Sequence, residues 1–298
     1  MFARQFLHHW LRSTARDAVL NAAKEQMAAS PADQDRDVCY DVGLVFALSI
    51  ESGGLVDLLE GVCVTKGHGI TVREGRLNGR QIVIVEAGAG RQLAADATHA
   101  LLDAYRPRWV VSSGFAGALD ASLRRGDMLL GDSLIDAEGR TWTADPALLS
   151  PWLAAGLGVR AGRLLTFDQV VRLPAEKASL GEKFAALAID MESLAVADVC
   201  ETRGVPFAAV RVVNDAVADE LPPDVERLLR QTSNAARFGA ALGTVFRRPS
   251  SVKELLSLQQ NAITASDCLA KYLARAISQL PTCSTPGTTA DSDSTPPA

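Results

Sequence analysis

The 298-residue sequence predicts an α/β fold. Three observations predict it. From Asp41 onward, short apolar runs rich in Val, Ile and Leu alternate with amphipathic stretches of helical period, as strands alternate with helices in an α/β domain. Gly-rich turns mark the changeovers. Acidic residues stand where three of the apolar runs stop: Glu51, Glu192 in Asp190-Met191-Glu192-Ser193, and Asp215 in Arg211-Val212-Val213-Asn214-Asp215. Carboxylates at the ends of buried strands face whatever occupies the crevice at that edge of the sheet. Three of them suit a site that handles a cationic transition state.

Taking the elements in order, residues 2–29 interleave Phe2, Phe6, Leu7, Trp10 and Leu11 with Arg4, Arg12 and Arg16, which reads as an amphipathic helix. Such a helix either packs on the domain or a second subunit, the favoured reading because Asp17, Lys24 and Glu25 mix its charge, or touches a membrane surface. Residues 30–37 read as a solvated linker. Val42–Leu48 is a strand and Ile82–Ala87 another. Gly88-Ala89-Gly90-Arg91 turns into a helix over about 92–104, and Trp109–Ser113 returns as a third strand, which makes a parallel crossover unit. Asp127–Gly131 and Arg163–Phe167 are further strand candidates. A helix follows over 192–203, then the strand Phe207–Val213 and helices over about 224–246 and 251–279, separated by Arg247-Arg248-Pro249. The Ser/Thr/Pro/Asp-rich end has almost nothing apolar to bury and reads as disordered. The expected organisation is an N-terminal helix and linker over 1–40, an α/β domain over 41–248, a C-terminal helix over 249–280 and a loose tail over 281–298.

Composition narrows the function. A hydrophobic content of 48% lets the chain bury one substantial core. Thirty Lys and Arg against 35 Asp and Glu leave a net charge of −5 with no basic cluster, so a nucleic-acid footprint is missing and a small-molecule partner is expected. The five cysteines are widely spaced, with no Cys-x-x-Cys, which indicates neither a disulfide framework nor a metal site. No run approaches the roughly 18 apolar residues of a membrane span, and no signal-peptide core is seen at the N-terminus. Cytoplasmic residence is the resulting expectation.

Each motif has a plain alternative. Gly88-x-Gly90 before a helix could cradle a phosphate or line a nucleoside site; a tight strand-to-helix turn needing φ > 0 explains both glycines equally. The spacing of a dinucleotide-binding loop is absent, because position 93 is Leu. The small residues of Ser112–Gly117 would let a ligand approach the backbone, or a helix pack on a strand end. Asp190 fits the positive end of a helix dipole. Glu192 follows an apolar residue at the mouth of the sheet, where a carboxylate without donors is costly and ribose hydroxyls are suitable donors. Asp215 could be a turn aspartate, and Glu51 a solvated first-turn residue. The histidines show no metal spacing.

These residues resemble a known family. Gly43–Glu51, Glu86–Arg91, Ser113–Gly117, Gly126-Asp127, Ile189–Glu192 and Pro206–Asp215 are similar to the nucleoside phosphorylase/nucleosidase superfamily, most of all its 5′-methylthioadenosine/S-adenosylhomocysteine nucleosidase branch. The resemblance runs from about Asp41 to Pro223. It implies a central mixed β-sheet flanked by helices, a homodimer, no metal or organic cofactor, and hydrolysis of the N-glycosidic bond of a purine nucleoside, with adenine as the base. Residue by residue it implies that Asp215 protonates purine N7, that Glu192 holds the ribose hydroxyls, and that Glu51 orients and deprotonates the attacking water. Met191 would pack under the sugar, Val170 and Val171 would fall against the base, and Phe115, Asn214, Gly90 and Arg91 would complete the lining.

The sequence departs from the nucleosidase pattern at three of these positions: Phe115 and Asn214 each replace a Ser, and Val170 stands where an aromatic is usual. The phosphate-binding Gly-Asp-Pro-x-x-Arg of the phosphorylases is missing after the first strand, which favours water as acceptor, while Arg91 keeps a phosphate-using phosphorylase as the alternative. Leu221-Pro-Pro223 and the Arg247–Leu256 stretch are also similar to hopanoid-associated members that act on a lipid-linked adenine nucleoside. A non-catalytic nucleoside-binding module is the remaining class.

Overall fold

The computed structural model describes residues 39–67, 69–156, 158–222 and 249–281. The expected N-terminal helix, the 224–246 helix and the loose tail lie outside the described residues. The elements are β1 (Val42–Phe46), α1 (Ser49–Val56), β2 (Glu60–Gly67), β3 (Ile70–Leu77), β4 (Arg80–Glu86), α2 (Arg91–Ala104), β5 (Trp109–Ala118), β6 (Met128–Asp136), β7 (Thr141–Thr143), α3 (Pro146–Ala154), β8 (Arg160–Thr166), α4 (Pro174–Phe184), β9 (Ala188–Asp190), α5 (Ser193–Arg203), β10 (Phe207–Asp215) and α6 (Pro249–Gln279).

All ten strands join one mixed sheet in the order β10-β6-β8-β9-β5-β1-β4-β3-β2, with β7 on β6. β10 also pairs with β5, so β5, β10, β6, β8 and β9 close into a ring from which β1, β4, β3 and β2 extend as an open wing. The junction is β5. Its first half pairs with β1 at Trp109–Ser112 and its last residues with β9 at Gly117 and Ala118, while β10 follows it from Val110 to Gly117. The sequence suggested a strand ending at Ser113. The chain remains extended to Ala118 because strands on both sides still supply hydrogen-bond partners, and glycines at 114 and 117 let neighbouring side chains come close.

Two apolar cores sit on opposite faces of the sheet. One is filled by α2 and α5, through Ala97, Leu101, Leu194 and Val199 among others. The other is filled by α1, α3 and α6, through Leu55, Trp152, Leu269 and Leu273. The helices start and stop for local reasons. Asp145 accepts the Ala147 amide at 2.8 Å with Pro146 opening α3, and Gly204, in the left-handed conformation, ends α5. α6 is part of the body: Ser266 Oγ accepts the Gly54 amide at 3.0 Å and donates to the Glu51 carbonyl at 3.2 Å, which ties α6 to α1. The buried Arg80 guanidinium caps the far end of α6, donating to the carbonyls of Ser278, Leu280 and Pro281.

Several elements went beyond the sequence reading. The hairpin β2–β3, the short β7, and helices α3 and α4 were not expected. Asn78 and Gly79, both at positive φ, make the tight turn between β3 and β4. Cys39 is disulfide-bonded, whereas Cys200 and Cys268 form no disulfide, which corrects the expectation of unbridged cysteines. No described helix is long and apolar enough to cross a membrane.

Candidate functional site

Glu51 occupies the third position of α1, directly after β1, and turns back over the start of its own helix. One carboxylate oxygen accepts the amides of Ala47 at 3.1 Å and Leu48 at 2.8 Å. The other accepts the Phe115 amide at 2.9 Å across the sheet. Gly114 makes this approach possible, since a Cβ there would lie 2.7 Å from Glu51 Oε1. Burial raises the proton affinity of Glu51, opposed by these three amides and the positive charge of Arg211.

Glu192 lies at the start of α5 and accepts the Gly90 amide at 2.7 Å. Gly90 holds φ = 112° and Gly88 φ = 90°, so both glycines serve the tight turn into α2, and the turn also delivers an N–H to Glu192. Burial first, and then the neighbouring Asp190 carboxylate, push the Glu192 pKa up to about 8; Glu51 adds to this, while Arg211 and the Gly90 hydrogen bond oppose it.

A raised carboxyl pKa has a definite consequence for stability. The folded state holds the proton more tightly than the unfolded chain, so the associated stability is present below the ordinary value of about 4.5 and is lost as pH rises toward 8. Glu192→Gln keeps an acceptor for Gly90 but cannot ionise. Thermal melts from pH 5 to pH 9 should therefore show a smaller fall in Tm for Glu192→Gln than for the wild type; equal falls would mean that Glu192 ionises normally. Glu51 and Asp215 are raised as well and leave a residual slope.

Asp215 ends β10 opposite Gly117 of β5, and a Cβ on that glycine would stand 3.0 Å from Asp215 Oδ2. Glu51 and Asp215 thus lean on β5 at Gly114 and Gly117, three residues apart, which is roughly 10 Å of strand. Burial raises the Asp215 pKa against the ammonium of Lys177, 2.5 Å from Oδ2.

Behind the carboxylates lies a buried charge pair. Arg211, on β10, donates to Asp190 Oδ2 at 3.1 Å, to Ser112 Oγ at 2.7 Å and to the Val210 carbonyl at 3.0 Å. Asp190 Oδ1 accepts the amides of Glu192 and Ser193 and the Thr166 hydroxyl, so the expectation that Asp190 serves the start of the helix holds, with a buried cation in addition.

The remaining candidates divide. Asn214 Oδ1 is buried without a hydrogen-bond partner among the described residues, and Met191 and Val170 are partly buried. The Phe115 side chain packs against the core on the α6 side, which leaves its amide as the group that meets Glu51. Val171 is enclosed in a small apolar cluster with Leu165, Phe184 and Ile189. Arg91 is engaged elsewhere: it pairs with Asp136 at 3.2 Å, Glu138 at 3.4 Å and Asp168 at 2.7 Å and donates to the Thr166 carbonyl at 3.0 Å. Lys177 was missed in the sequence. Its only signal is that it occupies the stripe shared by Leu180 and Phe184 on α4, an unusual place for a lysine. Among the described residues no cluster of His, Cys, Asp or Glu is placed to hold a metal ion.

Comparison with known proteins matches this architecture. The phosphorylase superfamily model covers residues 41–247. A 5′-methylthioadenosine/S-adenosylhomocysteine nucleosidase of Geobacillus kaustophilus is 29% identical over 221 residues, covering 67% of this chain and 93% of that protein. A protein of the same name from a Marinomonas species is 30% identical over 210 residues, covering 59% and 91%. Among solved structures, the nucleosidase of Neisseria meningitidis in complex with methylthio-immucillin-A superposes with a TM-score of 0.64 at 21% identity, over 80% of this chain and 99% of that one. The Streptococcus pyogenes S-adenosylhomocysteine nucleosidase in complex with 5-methylthiotubericidin gives 0.64 at 20%, over 82% and 98%. With a family model spanning more than two thirds of its length, this chain belongs to the phosphorylase superfamily.

Proposed function

We propose that the protein hydrolyses the N-glycosidic bond of a purine nucleoside, with adenine as the base and methylthioadenosine or adenosylhomocysteine as the model substrates. The observation that carries this reading is that Glu51 and Asp215 lean on β5 at Gly114 and Gly117 while Glu192 stands within the field of Glu51 and Arg211, each acid with a proton affinity raised by burial. Burial that raises the proton affinity of a carboxyl makes it a more effective proton donor than it is at its ordinary value.

In this reading Asp215 gives its proton to purine N7 as the bond from C1′ to N9 breaks. The sugar left behind is oxocarbenium-like, and the surrounding carboxylates stabilise it through their field. Glu192 accepts the ribose hydroxyls, with Met191 beneath the sugar. Glu51, fixed by three backbone amides, takes a proton from the water whose oxygen bonds to C1′. Val170, the backbone at Phe115 and Val171, Gly90, and Asn214 with its unpaired oxygen line the remainder. Water is favoured over phosphate because Arg91, the cation the sequence offered for phosphate, is already paired with three carboxylates. A homodimer resident in the cytoplasm belongs to the same proposal.

The test is release of free base from methylthioadenosine, adenosylhomocysteine, inosine and adenosine, with and without phosphate. Adenine and a free sugar should form at a rate independent of phosphate. Formation of a sugar 1-phosphate would transfer the protein to the phosphorylases. Nucleoside binding with no release from any of the four would leave a binding module instead.

A further inference from the structure

The Lys177 side chain is fully buried on α4, and its three N–H groups have three acceptors: Asp215 Oδ2 at 2.5 Å, the Ala216 carbonyl at 3.0 Å and the Asp219 carbonyl at 2.9 Å. A buried ammonium is costly unless it is paired and its hydrogen bonds are satisfied, and here both conditions are met. With every donor engaged, Lys177 has none left for a ligand, so any part it takes in the chemistry passes through Asp215. Fixing Oδ2 leaves Asp215 Oδ1 with no hydrogen-bond partner among the described residues, as the oxygen that must meet a base requires.

We propose that Lys177 is a positioning residue for Asp215: it holds the carboxyl with Oδ1 presented to the purine, and its charge sets the pH range in which Asp215 can act as an acid. This rests on the hydrolase reading above. The charge has a second effect within the step, because the carboxylate left after proton transfer to N7 is stabilised by the adjacent ammonium. The other charged groups that act on Asp215 are Asp219, which raises its proton affinity, and Arg125, which lowers it. These two neutralise each other in part, since Arg125 Nε lies 2.9 Å from Asp219 Oδ2, and Asp219 is further held by the Ala216 amide at 2.7 Å. Lys177 is therefore the charge in direct contact with Asp215, and a role confined to tying down the loop over 216–219 would leave kcat undiminished in Lys177→Arg, which keeps a charged donor there.

Full-length wild type, Lys177→Met and Lys177→Arg are compared in two measurements. The first is the pH dependence of kcat/KM for adenine release. An opposite charge this close lowers a carboxyl pKa by about 1–3 units, so in Lys177→Met the alkaline limb should move up by that amount and kcat should fall. Lys177→Arg should keep the limb in place while kcat falls at unchanged KM, because a planar guanidinium holds the carboxyl differently. The second is a carbon-NMR titration of the Asp215 carboxyl, identified by difference from Asp215→Asn, in which Lys177→Met should show the same upward shift without any turnover. An unshifted carboxyl in folded Lys177→Met overturns the proposal. If the wild type releases no base from any nucleoside, the hydrolase reading fails on its own account, and the carboxyl titration still decides whether Lys177 governs Asp215. Should Lys177→Met not fold, undiminished kcat in Lys177→Arg would overturn the positioning role.

Discussion

Asp215→Asn is expected to lower kcat/KM for nucleoside cleavage by about 10²–10⁴-fold, the usual contribution of a general acid. On the scale where tenfold is about 1.4 kcal/mol, that is about 3–5 kcal/mol of lost transition-state stabilisation. The step is limited by proton supply. A purine leaves poorly as an anion and well once N7 carries a proton, and Asp215 is the carboxyl at the end of β10 with Oδ1 unpaired among the described residues and a proton affinity raised by burial. An amide in its place still accepts from Lys177 through its carbonyl oxygen, so the loop over 216–219 should remain anchored. The expected signature is a loss of kcat with KM little changed and with secondary structure intact by circular dichroism. Activity within a few-fold of the wild type would remove Asp215 from the mechanism.

Arg211→Met should be the most destabilising single change near the site. The side chains of Arg211 and Asp190 are 2% and 1% exposed. Two buried ions of this kind do not necessarily make the fold more stable than an apolar pair would, but removing one of them leaves the other uncompensated, at a cost of about 3–5 kcal/mol. Ser112 Oγ loses its donor at the same time, and Glu51 and Glu192 lose the cation that opposes their protonation. The measurement is the urea midpoint at constant m. Combining Arg211→Met with Asp190→Asn should cost less than the sum of the two single changes, because the neutral amide no longer needs the guanidinium while its oxygen can still cap α5. A loss below about 1 kcal/mol for the single variant would show that water reaches Asp190.

The two large effects arise from the same construction. A site that holds Glu51, Glu192 and Asp215 under burial does so against their tendency to take up protons, and buried cations, Arg211 behind the first two and Lys177 behind the third, make the arrangement tolerable. α6 contributes from a distance: by bonding Ser266 to Gly54 and to the Glu51 carbonyl, it fixes the helix on which Glu51 stands.

Much of this was legible in the chain. The alternation of apolar runs with helical stretches, read from Val42 to Val213, gave β1, β4, α2, β5, α5 and β10, and Pro249 marked the start of a helix that runs to Gln279. The Asn78-Gly79 turn was present as a signal, yet the hairpin strand β2 escaped because its exposed, mixed side chains follow no clear two-residue period. The three acids stood out because they interrupt apolar runs at strand ends, a pattern visible in one dimension. Arg91 and Val171 show the limit: by sequence both border the site, and only in three dimensions does one meet Asp136, Glu138 and Asp168 and the other enter a core cluster.

The order of residues by itself determined the α/β class, the central strands and their helices, and the acids available for chemistry, because periodicity, turn residues and strand ends are local properties. The tertiary structure alone decided the closed ring around β5, the Arg211–Asp190 pair at a separation of 21 residues and the Lys177–Asp215 pair at 38. Those contacts depend on which strands become neighbours. Pairing sets which charges share a buried volume, and burial, modified by the charge partners in that volume, sets the proton affinity of each acid.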